Sequence, residues 1–280
     1  MPRPGVLYVV ATPLGNLEDI TLRALRVLRE VHWIAAEDTR ETAKLLRHYG
    51  IATRLTAYHD WIEREQAPRL VERLLQGENG ALVSDAGTPV LSDPGFHLVR
   101  SALAAGIRVV PVPGPSAIVA ALCAAGLPAQ RFVFEGFLPA RASARRARLQ
   151  ELARETRTLV MFETARRLPA CLQDMEAVWG ARTVVVAREL TKLYEEFLRG
   201  TPAELLAELS RRQAPVRGEV TLVAEGCPEP PAQATRARPW QEKLAELLAS
   251  GVSLRDAAKL IAREYGLSRR EVYAWGLHQR

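Results

Sequence analysis

Apolar residues recur along this chain with two periods, and the alternation between them sets out its elements. A short apolar run, Leu7 to Val10, is followed by Thr21 to Val31, where Leu22, Leu25 and Leu28 fall at helical spacing. His32 to Ala36 reads as a strand, and Thr39 to Tyr49 and Ile62 to Gln76 read as helices, the second with Leu70, Leu74 and Leu75 inward. Strand Gly80 to Ser84, helix Phe96 to Ala105, strand Arg108 to Pro111 and helix Ser116 to Ala125 continue the series. Strands separated by helices in this way predict a parallel sheet with crossover helices. The pattern pauses at Leu127-Pro128-Ala129-Gln130 and restarts with a strand at Arg131 to Glu135. Further strands at Thr158 to Phe162, Thr183 to Ala187 and Glu219 to Ala224, and one near Phe197, with helices between them, predict a mixed sheet.

Cys227 to Pro239 is rich in proline and has no periodicity, which predicts an extended linker. Beyond it Trp240 to Ala249, Ser253 to Tyr265 and Ser268 to Leu277 read as three short helices, with breaks at Gly251 and Gly266 and N-caps at Ser253 and Ser268. The expected organisation is an α/β domain over residues 1–127, a second α/β domain over 128–227, a linker over 228–239 and a helical module over 240–280. The last two helices have helix-turn-helix proportions, with Arg269, Arg270 and Tyr273 near the start of the final one. Such a module either touches nucleic acid through that helix or packs as a cap on the body or a partner.

Three predicted strands run into Pro/Gly turns. Leu7 to Val10 leads into Ala11-Thr12-Pro13-Leu14-Gly15-Asn16-Leu17-Glu18-Asp19, Gly80 to Val83 into the acid-bearing loop Ser84 to Gly95, and Val109-Val110 into Pro111-Val112-Pro113-Gly114-Pro115-Ser116-Ala117. Ligands of open α/β sheets sit outside the carboxyl ends of the strands, so these three turns outline one crevice. The chain has neither G-x-G-x-x-G opening a helix after its first strand nor G-x-x-x-x-G-K-[ST], which argues against a nucleotide held by those devices.

At 280 residues, 48% hydrophobic and 25% charged, the chain is long enough for about two cores and ordinary for a soluble globular protein. No apolar run approaches the ~20 residues of a membrane span. Met1 to Gly5 leads straight into a strand without the apolar region of a signal peptide, so the expected location is the cytoplasm. Cys123, Cys171 and Cys227 are far apart and form no C-x-x-C, which indicates neither a disulfide framework nor a zinc site, and no metal is expected. Cys123, in an alanine-rich helix, reads as a small core residue.

The formal net charge of +6 is unevenly placed. Residues 139–167 carry eight arginines against three glutamates, and residues 235–280 carry nine Arg and Lys against five acids, leaving the rest net negative. These runs are either solvated helix faces or patches facing a polyanion, and arginine suits phosphate contact and base stacking better than lysine.

Taken together, several motifs resemble the ribosomal RNA small subunit methyltransferase I family. They are Thr12 to Leu25, Ala36-Glu37-Asp38-Thr39-Arg40, Ser84 to Gly95, Pro113-Gly114-Pro115-Ser116-Ala117, Glu135-Gly136-Phe137-Leu138-Pro139 and Ala187-Arg188-Glu189-Leu190-Thr191-Lys192. That family has the tetrapyrrole methylase fold of the class III S-adenosylmethionine methyltransferases. The resemblance implies 2′-O-methylation of a cytidine ribose in the decoding centre of 16S ribosomal RNA, on the small ribosomal subunit. It also implies a homodimer and S-adenosylmethionine held between two α/β domains, adenine on the side of the second. Position by position, the cofactor residues it implies are Leu14, Asp85, Gly87, Val90, Ser116, Ala117, Phe162, Ala187 and Thr221.

The sulfonium methyl of that cofactor is already activated, so the protein must chiefly align it with the ribose oxygen and exclude water. An acid such as Asp85 near the sulfonium or amino group gives favourable electrostatics. A positioned base helps to remove the hydroxyl proton, for which Glu163, Glu189 and Lys192 are the candidates, with Asp38 and Arg40 near the same edge. Candidate RNA contacts are Arg40, Arg141, Arg145, Arg166, Arg269 and Arg270. This chain departs from the family pattern at Phe162-Glu163-Thr164-Ala165-Arg166-Arg167, where Tyr-Glu-Ser-Pro-His-Arg is frequent, at Tyr194, where histidine is common, and at Arg141, where lysine is. Two other readings stay open, a methyltransferase of the same fold acting on a tetrapyrrole or other small molecule, and a non-catalytic RNA-binding assembly protein.

Overall fold

The computed structural model describes residues 3–228 and 240–277. The chain forms two compact units, Met1–Cys227 and Pro228–Arg280, and the first contains two five-stranded sheets. The linker expected over 228–239 lies, from Glu229 onward, outside the described residues.

The first sheet is built from β1 (Val6–Val10), β2 (Trp33–Ala36), β3 (Leu55–Ala57), β4 (Gly80–Val83) and β5 (Arg108–Val112), all parallel, in the order β3-β2-β4-β1-β5. Its crossovers are α1 (Leu22–Glu30), α2 (Thr39–His48), α3 (Glu63–Leu75) and α4 (Phe96–Ala104). Successive strand residues face opposite layers, the period-2 rule at work. Ile34, Ala36, Ala81 and Val83 pack with Val27 and Leu28 of α1 and Leu45 and Leu46 of α2. Trp33, Ala35 and Leu82 pack with Leu70 and Leu74 of α3 and Leu98 and Ala102 of α4. Thr21 caps α1 by accepting from the Ala24 N–H, and Asp38 caps α2 by accepting from the Arg40 N–H.

The second sheet contains β6 (Phe132–Phe137), β7 (Thr158–Thr164), β8 (Val184–Arg188), β9 (Glu196–Gly200) and β10 (Glu219–Ala224), ordered β6-β7-β10-β8-β9. Only β6 and β7 pair in parallel, so the sheet is mixed. One face is covered by α6 (Ala142–Glu151), α7 (Leu168–Trp179) and α8 (Pro202–Ser210), through Leu149, Leu168, Leu172, Met175 and Leu205. The other face receives α5 (Ala117–Ala125), which follows the last strand of the first sheet: Ile118, Ala121, Leu122 and Ala125 pack on Val160, Val185, Ala187 and Val223. This helix locks the two sheets into one unit.

The second unit contains α9 (Trp240–Ala249), α10 (Leu254–Tyr265) and α11 (Arg269–Leu277), closed around Leu244, Leu254, Ala257, Ala258, Ile261 and Val272.

The structure departs from the sequence pattern at several places. Leu22 is 86% exposed, because the inward stripe of α1 is Ala24, Val27 and Leu28, and Leu75 is 43% exposed at the end of α3. Cys123 is exposed, since α5 turns Ile118, Ala121, Leu122 and Ala125 inward. The edge strand β3 was not anticipated; three residues carry too little alternation to register.

Candidate active site

Strand order reverses at β1 and β4: β1 leads leftward to β2 and β4 leads rightward to β5, so their carboxyl ends open a crevice. The loops that leave them are joined. The Thr12 N–H donates to the Gly87 carbonyl at 2.8 Å and the Gly87 N–H returns to the Thr12 carbonyl at 3.0 Å. The Thr12 hydroxyl donates to the Ser84 carbonyl at 3.0 Å, and the Thr88 hydroxyl reaches the Pro115 carbonyl of the third loop at 3.1 Å. At Gly87 φ is +81° and a Cβ would lie 3.1 Å from Leu14 Cδ2, so glycine lets the loop close against Leu14.

These loops and the second sheet enclose a cavity of about 340 Å³. On its second-sheet side Phe162, Thr221 and Ala187 form one cross-strand row, Thr221 being registered against both of the others. Leu14, Ile118, Phe137, Leu190 and Val220 extend the apolar lining, and the Phe162 ring lies edge-on to Phe134 at 4.9 Å. The opposite wall is acidic, lined by Glu37, Asp85 and Asp93, while Glu219, the first residue of β10, borders the cavity from the second-sheet side.

Burial and mutual repulsion raise the proton affinity of that wall. Desolvation, then the charges of Asp93, Asp85 and Asp60, push the Glu37 carboxyl to about 7. Desolvation pushes Asp93 to about 6 against a hydrogen bond from Ser84. Asp85 is also raised, chiefly by burial, although its Oδ1 accepts the Asp38 N–H at 2.9 Å. Among the described residues no three His, Cys, Asp or Glu side chains converge as a metal-holding group. These clustered carboxylates make this wall of the cavity one that a positive charge would stabilise.

Beside this wall Lys192 Nζ donates to Glu189 Oε1 at 3.0 Å and to Glu219 Oε2 at 2.9 Å. Desolvation opposes the lysine charge, but the bonds to Glu219 and Glu189 outweigh it and raise its pKa. Glu189 is partly desolvated, yet the Glu219 N–H and Lys192 hold it below the usual carboxylate range. Lys192 is thus an ammonium and Glu189 a carboxylate at neutral pH. The lysine stem crosses Gly15, where a Cβ would lie 2.3 Å from its Cγ. Val90 and Ser92 in one cavity loop and Glu189 and Thr191 in the other have positive φ of 76°, 70°, 51° and 66°. Each such residue costs about 1–3 kcal/mol, a strain that clusters at ligand sites.

Of the cofactor residues implied by resemblance, Leu14, Asp85, Gly87, Ser116, Ala117, Phe162, Ala187 and Thr221 border the cavity. Val90 does not; its side chain packs toward the core of the first sheet. Glu163 borders the cavity, but strand alternation sets it with Met161 and Val220 on the α7 face. There its Oε1 lies 3.0 Å from Arg167 Nε and accepts the Thr164 N–H at 2.8 Å. Glu37 and Asp93 are further site residues that the motifs contain but do not single out: Asp93 shares the Ser84 to Gly95 loop with Asp85, and the fold brings Glu37 to them from the loop after β2.

The basic candidates separate. Arg145 cannot contact RNA: its side chain is 5% exposed, with Nε 2.7 Å and Nη2 2.6 Å from Asp174 Oδ2 and Nη1 donating to the Ala140 carbonyl. Arg40 is exposed but chelates Asp38 at 2.6 Å. Arg141, Arg166, Arg269 and Arg270 are exposed.

No helix among the described residues is long and apolar enough to cross a membrane. Residues 6–206 match the family model of Tetrapyrrole (Corrin/Porphyrin) Methylases, and residues 240–280 match the RsmI C-terminal HTH domain. The chain is 48% identical to ribosomal RNA small subunit methyltransferase I of Haemophilus influenzae over 274 residues, 98% of this chain and 96% of that protein. It is 49% identical over 277 residues to the protein of that name from Pseudomonas aeruginosa, 98% of each. Among solved structures it resembles the cobalamin biosynthetic enzyme cobalt precorrin-4 methyltransferase, at TM-score 0.58 and 18% identity over 79% of this chain and 94% of that one. Diphthine synthase is similar at TM-score 0.59 and 15% identity, over 79% and 90%. The loops tied at Thr12 and Gly87, the two-sheet body they serve and the carboxyl-terminal helices are thus those of the ribosomal RNA small subunit methyltransferase I family of tetrapyrrole methylases, to which this chain belongs.

Proposed function

We propose that the cavity binds S-adenosylmethionine and that its methyl group is transferred to the 2′-oxygen of a cytidine ribose in the decoding centre of 16S ribosomal RNA. The observation that carries the cofactor reading is the two-sided cavity, carboxylates on one wall and apolar surface on the other. Its volume of about 340 Å³ lies within the ~300–1,000 Å³ usual for ligand pockets. The donor set fits: Asp85, Glu37 and Asp93 match the sulfonium and ammonium charges, and Leu14, Ile118, Phe162, Ala187 and Thr221 match a flat apolar base. The RNA reading is supported by relatives whose names specify ribosomal RNA and which align over nearly the whole chain.

The bound cofactor supplies an electrophilic methyl that needs no further activation. What this chain supplies is position and charge. The Thr12 to Gly87 exchange fixes the loops, and the row Phe162, Thr221, Ala187 forms a floor that excludes water. Lys192, an ammonium, offers a positive charge to the ribose oxygen while the hydroxyl proton passes to solvent water, instead of removing that proton itself. Glu189 orients Lys192, and Glu163 supports β7 and α7 through Arg167. Arg40, Arg141 and Arg166 offer charge to the RNA backbone at the surface. The acting form is a homodimer in the cytoplasm, and its substrate is an assembled or nearly assembled small subunit, since dispersed arginines read shape better than sequence.

The test is incubation with methyl-labelled S-adenosylmethionine and, in parallel, undermethylated small subunits, protein-free 16S RNA or a tetrapyrrole. Label in the RNA of the subunit, lost with Asp85→Asn, supports the reading. Label only in the tetrapyrrole, or none despite bound cofactor, overturns it.

A further inference from the structure

The second unit carries a groove that no part of the cavity chemistry uses, lined by Arg255, Arg269, Arg270, Tyr273, Ala274 and Leu277. Its origin lies in the helix periods. Val272 and Gly276 turn α11 toward the small core, where a Cβ on Gly276 would lie 2.3 Å from Leu254 Cδ1. The outward stripe of the same helix is therefore Arg269, Arg270, Tyr273, Ala274 and Leu277, spaced by three and four residues. Arg255 comes from the first turn of α10, just after its N-cap Ser253.

Among the described residues no acid lines this groove. The acids around it are engaged elsewhere or point away: Asp256 holds the Ser253 hydroxyl at 2.5 Å, Glu264 pairs with Lys243, and Glu271 lies outside the lining. Three exposed guanidinium groups thus stand together beside a partly exposed tyrosine ring, at the amino-terminal turns of two helices whose backbone N–H groups also favour anions. Arginine with an aromatic face is the combination that takes phosphate and an unstacked base together.

We infer that this groove is an RNA site: Arg255, Arg269 and Arg270 hold consecutive phosphates of a single-stranded or looped segment, and Tyr273 stacks on one of its bases. This rests on the proposed RNA substrate and adds a second point of engagement to it. A-form duplex hides its base edges in a deep, narrow major groove, so a short helix with one aromatic residue suits an unpaired segment better than a duplex.

The experiment uses the full chain with the three arginines replaced together, Arg255→Gln, Arg269→Gln and Arg270→Gln, and separately Tyr273→Ala. Binding to the small-subunit RNA is followed against salt, beside S-adenosylmethionine affinity and the circular dichroism of the helices. Each phosphate contact to a single strand contributes about 0.7 to the slope of log affinity against log salt, so the triple variant loses about two units of slope. Its KM for subunits rises at least about tenfold, while cofactor affinity stays within about twofold. Tyr273→Ala weakens RNA binding by about five- to a hundredfold with the slope unchanged, and Arg→Lys at all three positions keeps the slope. A triple variant that is folded and binds RNA with unaltered slope and affinity overturns the inference alone. A wild-type chain that binds cofactor but no RNA at any salt overturns it together with the RNA reading, and wild-type RNA binding that survives in the variants while capture of a ribosomal protein is lost makes the groove a protein site and equally overturns it.

Discussion

Thr12 and Gly87, 75 residues apart in sequence, exchange backbone hydrogen bonds in both directions, at 2.8 and 3.0 Å. This isolated antiparallel bridge spans the carboxyl ends of two parallel strands and gives the cavity its fixed edge. It works because Gly87 adopts φ +81° against Leu14, which a side chain resists.

Gly87→Ala accordingly carries a backbone penalty of about 1–3 kcal/mol. Its Cβ would also meet Leu14 Cδ2 at 3.1 Å, so that side chain must shift slightly. Cofactor affinity should fall at least about tenfold, equivalent to 1.4 kcal/mol, while the fold survives. Calorimetric titration beside urea unfolding checks this; unchanged affinity would show that the bridge does not shape the site.

Glu37, near 7, and Asp93, near 6, hold protons in the free protein that a cationic ligand expels. Binding of S-adenosylmethionine at pH 6.5 should release protons, and affinity should fall as pH drops from 7.5 to 5.5. For the free protein the sign reverses. Carboxyl pKa values raised on folding mean that the native state binds more protons than the unfolded one, so these two groups favour folding below their unfolded values and lose that contribution as pH rises through 6 and 7. Titrations in buffers of different ionisation enthalpy read the proton count directly. Proton uptake on binding would contradict the acidic-wall account.

Lys192 is held as an ammonium by Glu189 and Glu219. Lys192→Met should lower kcat by about 10²–10³, the usual loss for one donor to a developing oxyanion, with cofactor affinity within a few-fold. Lys192→Arg should restore part of the rate. If Lys192→Met leaves kcat intact, the lysine only braces the loop.

Arg145 is a structural residue. Removing one member of a buried ion pair costs about 3–5 kcal/mol, so Arg145→Ala should unfold at markedly lower urea while its folded fraction binds RNA as wild type does. Weaker RNA binding by fully folded Arg145→Ala protein would return it to the surface it was first assigned to.

Local signals made most of the fold legible. The β1 and β4 runs, the Ser253 cap and the Pro/Gly turns act within a few residues of themselves. What stayed hidden depends on distant partners. The burial of Arg145 follows from Asp174, 29 positions away, and the raised proton affinity of Glu37 from its burial in the folded cavity and then from the charges of Asp93 and Asp85 on another loop. Glu163 is a candidate base by its residue type, and only its register with Val220 reveals which face its carboxylate takes. Leu22 misled for the opposite reason, since a leucine at helical spacing in the first turn of α1 still faces solvent at 86% exposure.

Methyl transfer to a ribose of 16S RNA is tested first by locating the methyl. Undermethylated small subunits are incubated with the protein and methyl-labelled S-adenosylmethionine, and the RNA is digested and mapped by mass spectrometry. One label is expected, on the 2′-oxygen of a decoding-centre cytidine, dependent on Asp85 and reduced by Lys192→Met. A methyl on a base, on another nucleotide or on a ribosomal protein would contradict it.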